Sequence, residues 1–150
     1  MTAALLILFL IQCIACFILF KTMFRRRKTF QERFAMTLTT CSSTVLGLNL
    51  STLIYLMLGA ENRFVPIFAI GLGMMIGISY GAIFKFHSAF SGFYHGATGA
   101  IMGTMLGAVI VNPELCGLPA SANTNFLAFG FFGGLVSFIT VLLLLFSLKV

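Results

Sequence analysis

Apolar runs separated by short polar breaks divide the chain into five segments, 3–20, 34–58, 65–84, 89–111 and 126–148. A hydrocarbon core of ~30 Å takes about 20 helical residues, so each segment has the length of a membrane-crossing helix. The pattern predicts an all-α integral membrane protein, one transmembrane domain over residues 1–150 with five transmembrane helices. Gln12 alone interrupts the first apolar run. No positive charge precedes that run, and KTMFRRRK follows it without a small-residue cleavage site. It therefore reads as a retained helix with its N-terminus outside, and not as a cleaved signal peptide. Lys21 to Arg33 reads as a basic loop with Phe24 and Phe30 at the interface, and Asn112–Pro113 stops the fourth segment.

Glycine spacing organises the middle of the chain. Gly73, Gly77 and Gly81 recur every four residues, and Gly92, Gly96, Gly99, Gly103 and Gly107 every three or four. Glycine costs roughly 1 kcal/mol in a water-exposed helix interior. In an apolar segment the same spacing clears one face so that two backbones approach closely. This predicts a glycine-faced hairpin of helices 3 and 4, with the five later glycines on one line. A turn near His87 and Ser88 would set Gly73 opposite Gly103, Gly77 opposite Gly99 and Gly81 near Gly96. The same spacing also suits contact between copies of the chain.

The second segment is rich in hydroxyls. At 100° per residue, one face collects Thr37, Thr40, Cys41, Thr44, Leu48, Ser51, Thr52 and Tyr55. Such a stripe faces protein or water in preference to lipid. It is a candidate polar track for a small solute or ion, or a row of interhelical hydrogen bonds. Asn49 lies off the stripe and needs a partner of its own.

Composition sharpens the class. Hydrophobic residues are 60% of the chain and charged residues 8%, with mean hydropathy +1.11. Soluble domains carry about a quarter charged residues, so a water-soluble fold is excluded. The net charge of +6 does not point to nucleic acid. Lys21, Arg25, Arg26, Arg27 and Lys28 follow the first span directly, the placement of a topology signal, and Arg25 to Lys28 suit anionic headgroups at the inner face. With five crossings and the N-terminus out, these five, Arg33, Lys85 and the C-terminal Lys149 are cytoplasmic, and Arg63 alone is outside.

Candidate chemistry is sparse. Cys13 and Cys16 form C-x-x-C inside the first span, far in depth from Cys41 and Cys116, and read as packing residues. Met74, Met75, Met102 and Met105 share a depth under the expected hairpin register and with His95 offer a soft-metal option of the Cu(I) type. His87, expected in the inner loop, and His95 are the two groups that titrate near neutral pH, and His95 is the candidate pH-sensitive residue. No Asp or Glu lies within a span, and no nucleotide-binding loop, catalytic triad or zinc motif occurs, so no enzyme activity and no cofactor are expected. The sequence thus predicts an oligomeric conduit or transport component for a small polar solute or ion. The alternative is a non-transporting subunit docked on a membrane-protein partner. The compact layout suggests a bacterial inner membrane.

Overall fold

The computed structural model describes residues 2–26, 32–58, 64–117 and 126–147. These form five α-helices, α1 (Thr2–Arg26), α2 (Glu32–Leu58), α3 (Val65–Ala82), α4 (Phe86–Val111) and α5 (Phe126–Ser147), with a short 3-10 turn at Pro113–Cys116. There is no strand among the described residues. Four helices contain stretches long and apolar enough to cross a membrane, Leu5–Arg25, Arg33–Leu58, Val65–Ala82 and Phe86–Val111. The apolar part Phe131–Ser147 of α5 is shorter.

The helices form two layers of unequal density. α2, α3 and α4 pack tightly on one another, and α1 and α5 pair with each other along one side of that trio. Glycine explains the difference. A Cβ at Gly77 would fall on the Gly92 carbonyl, one at Gly92 on the Gly77 carbonyl, and one at Gly96 on the Gly73 carbonyl. The α3 and α4 backbones therefore touch without intervening side chains, a contact that only small residues permit. Side chains fill the remaining joints. Leu19, Met23, Leu38, Leu46, Tyr80, Ile83 and Val141 form one buried cluster, and Leu5, Leu53 and Leu56 another.

Three expectations are corrected here. First, α1 continues to Arg26, so Lys21 to Arg26 are helical and not loop. No Gly or Pro interrupts that stretch, Lys and Arg are good helix formers, and buried Met23 anchors the extra turn. Second, the α3–α4 connection is only Ile83, Phe84 and Lys85. Lys85 is extended (φ −146°, ψ 165°), and His87 and Ser88 lie in the first turn of α4. Moving the turn shifts the hairpin register by seven residues, about 10.5 Å. Gly77 faces Gly92 and not Gly99, Gly73 faces Gly96 and not Gly103, and Gly81 meets Ser88 and Ala89. Third, the α4 glycines do not serve one neighbour. Gly92 and Gly96 meet α3, whereas Gly99 meets Thr44, Gly103 meets Leu48 and Gly107 meets Tyr55, all on α2. The glycine band faces the crevice between two helices and is shared between them.

The helix ends can be placed from these contacts. Thr39 bonds Ser88 (3.0 Å) and the Tyr80 hydroxyl donates to the Cys16 carbonyl (2.6 Å). At the opposite end Leu5 packs with Leu53, Leu56 and Ile110. Arg25, Arg33 and Lys85 therefore gather at one end of the bundle, the end where α1 and α3 finish and α2 and α4 begin.

Candidate functional site

The hydroxyl stripe of α2 divides along its length. Thr37 and Cys41 are exposed near the basic end, and Thr40 is half-buried. Thr37, Thr40 and Thr44 donate to carbonyls of their own helix, at Arg33, Thr37 and Thr40. Further along, the stripe enters the interior. The Ser51 hydroxyl points to the Ala69 carbonyl of α3 at 3.4 Å, and that of Thr52 is shared between the carbonyls of Leu48 (2.8 Å) and Gly103 of α4 (2.9 Å). Tyr55 covers Gly107. Glycine is what makes the Thr52 bond possible, because a side chain at position 103 would hold α2 away. Thr39, Ser42 and Ser43, which lie off the stripe, are also buried, each bonded to a carbonyl of its own helix.

A second polar group lies between the trio and the α1–α5 pair. The Gln12 side-chain amide donates to the Ser137 hydroxyl, joining α1 to α5. The Asn49 amide donates to the Val45 carbonyl at 3.0 Å, and its oxygen would lie 3.0 Å from a Cβ at Gly133. Gln12, Asn49, Thr52 and Ser137 are all buried. Gln12, Asn49 and Thr52 line a cavity of about 40 Å³ whose α5 wall is Gly133 and Gly134, adjacent positions without a side chain, together with Phe138. That volume holds one water-sized guest, and the polar lining supplies the partners such a guest requires. Gln12, Asn49 and Ser137 each sit about ten residues, ~15 Å, from the helix ends at Thr2, Leu58 and Phe126. This depth match is the signal by which they could have been found. A Gln, an Asn and a Ser from three different spans stand level only once the spans are aligned by direction.

No family model, curated protein or solved structure matches the chain. The site therefore has to be read from its own chemistry. The amides and hydroxyls around the chamber carry no formal charge. They can orient a dipole or share oxygen atoms with a small cation, and they cannot supply acid–base catalysis at neutral pH.

The other sequence-derived positions scatter. Met75, Met102 and Met105 are exposed and Met74 is half-buried. The corrected register brings Met74 level with His95 and about two and three turns away from Met102 and Met105 respectively, so the shared depth expected for a methionine cluster is absent. No group of three or more His, Cys, Asp or Glu side chains that could hold a metal occurs among the described residues. Cys13, Cys16 and Cys41 are free thiols, and Cys16 lies 3.2 Å from the Tyr80 hydroxyl. Cys116 ends the 3-10 turn. His95 is half-buried, edge-on to Tyr94 at 5.6 Å, and shares a groove with His87. Of the headgroup positions, Arg25 is exposed on the last turn of α1 and Arg26 ends that helix. Arg27, Lys28, Phe30, Arg63 and Lys149 lie outside the described residues.

Proposed function

We propose that this chain is a five-span integral membrane protein, N-terminus outside and C-terminus cytoplasmic, that serves as a transport component for a small polar solute or ion. The membrane is a bacterial inner membrane, and the working unit includes further copies or a membrane-protein partner. The observation that carries the reading is the chamber bounded by Gln12, Asn49 and Thr52 at mid-depth, where three of the four lining helices, α1, α2 and α4, are long and apolar enough to span a bilayer. Polar side chains at that depth are costly and concentrate on solute pathways. The chamber, which keeps Thr52 of the stripe, replaces the Thr37-to-Tyr55 stripe as the proposed polar site, because Ser51 bonds to α3 and Thr37, Thr40 and Thr44 bond to carbonyls of their own helix. Eight of the nine basic residues fall on the proposed cytoplasmic side, which supports the orientation.

The test is aqueous access to the chamber. A cysteine-free protein carrying Gly134→Cys is treated in sealed vesicles with a small charged methanethiosulfonate, beside Leu143→Cys on the exposed face of α5. Modification at position 134 well above that at 143 is the expected result. Equal, negligible modification at both would remove the transport reading.

A second reading has its own observation. The inner part of the α2 stripe is spent on intrachain packing, as in a protein whose polar residues exist to assemble helices. On that reading the chain is an accessory subunit, and Gln12, Asn49 and Ser137 bolt α1 and α5 to the trio.

A further inference from the structure

Two strips run side by side along the first turns of α4. Phe86, Phe90 and Tyr94 form one and His87, Ser91 and His95 the other, each repeating at four residues. With Met36 of α2 opposite, they line an open groove of about 340 Å³. Phe86, Phe90 and Tyr94 are 85%, 69% and 60% exposed, so the aromatic wall is uncovered by the protein itself. The polar strip extends about 12 Å from His87 to His95, further than the few ångströms of an interfacial layer. Both strips begin at the basic end. Lys85 immediately precedes Phe86, and exposed Arg33 stands one turn before Met36.

We propose that this groove is a binding site for one anionic phospholipid of the leaflet at the basic end. Its phosphate sits among Lys85, Arg33 and His87, its glycerol and ester oxygens follow Ser91 and His95, and an acyl chain lies on Phe86, Phe90 and Met36. Charge complementarity selects this occupant. A cationic rim opens onto a wall that is aromatic on one side and hydrogen-bonding on the other, which matches a headgroup joined to a chain. A soluble anion would use only the rim, and an uncharged lipid only the wall. The inference rests on the membrane reading but not on the transport reading.

The chain has no Trp, so a single reporter is unambiguous. Phe90→Trp in the full-length protein is reconstituted in phosphatidylcholine containing a minor fraction of phosphatidylglycerol, with bromine on the acyl chains of one lipid or the other. A Leu143→Trp protein, with its reporter on the exposed face of α5, serves as the reference. Each basic group near an anionic headgroup contributes about fivefold in relative association. The expected result is a several-fold preference for brominated phosphatidylglycerol at position 90 and none at 143. Adding His87→Gln and His95→Gln should lower the preference at 90, and Lys85→Gln should lower it further. Equal quenching of the Phe90→Trp reporter by the two lipids overturns the site, as does a preference that the three substitutions leave undiminished. Failure of the membrane reading looks different, since neither reporter would then be quenched by either lipid.

Discussion

A methyl group at Gly77 is the most direct test of the α3–α4 backbone contact. Built on the observed backbone, it would lie 2.7 Å from the Gly92 carbonyl carbon and 3.2 Å from the Gly96 Cα, where ordinary contacts begin at 3.4 Å. The Gly92 carbonyl oxygen is nearer still, and none of these obstacles is a side-chain tip that can swing aside, so the two helices must part by more than about 0.7 Å. A radial gap of 0.5–1 Å forfeits a quarter to a half of each affected dispersion contact, and overpacking of this kind costs ~1–3 kcal/mol. Helix propensity works the other way, since Gly→Ala gains up to ~1 kcal/mol. Gly71→Ala separates the two terms, because nothing lies within 4 Å of that position on the same helix. Propensity cancels in the comparison and leaves the clash. Gly77→Ala should therefore be ~1–3 kcal/mol less stable than Gly71→Ala, a factor of roughly 5 to 100 or more in the unfolding equilibrium. Gly47→Ala should fall between, its methyl being 3.0 Å from the Gly96 carbonyl oxygen. Unfolding in mixed micelles with rising dodecyl sulfate, followed by near-ultraviolet dichroism of buried Tyr80, gives the three values. Equal stability of the position-77 and position-71 variants would refute backbone contact between α3 and α4.

Two more perturbations address the joints around α1. Tyr80→Phe removes the hydroxyl donated to the Cys16 carbonyl. It should cost ~0.6–1.7 kcal/mol, the range for interhelical hydrogen bonds in a membrane, and speed maleimide labelling of Cys16; an unchanged rate would show that this bond does not tie α1 down. In a double-mutant cycle of Gln12→Leu and Ser137→Ala, the pair should show coupling of at least ~0.5 kcal/mol, read from the same dodecyl sulfate transitions, and strictly additive effects would argue against the bond.

Local chemistry and long-range geometry were unequally legible in the residues. Apolar run length and glycine spacing were enough to foresee helices, a hairpin and a close approach, because these depend on properties of a single segment. The register was not, because it turns on where one helix stops. Lys85, Phe86 and His87 look like a polar stop, yet His87 and Ser88 belong to α4 and the chain reverses within three residues. A shift of 3.5 residues in the turn becomes seven in the pairing, and the methionine depths move with it. The division of the α4 glycines between α2 and α3 was hidden for a related reason. A helical wheel shows which face is bare but not how many neighbours share it. Asn49 shows the opposite case. Its need for a partner was plain from the sequence, while Val45 and the bare wall at Gly133 came only with the fold.

The bond between Gln12 and Ser137 spans 125 residues, and that separation has a consequence in time. Ribosomes add about 5–20 residues per second, so α1 waits roughly 6–25 s before α5 exists to receive it. On the membrane reading, the Gln12 amide stands in the hydrocarbon through that interval without its final acceptor, while the trio of α2, α3 and α4 is already able to close on glycine. The contacts of α1 with Tyr80, Leu53 and Leu56 need no α5, whereas its amide is among the last groups to be locked. A chain cut short before α5 would keep a sound centre and a first span whose amide lacks its Ser137 acceptor, the kind of defect by which membrane quality control can tell an unfinished protein from a finished one.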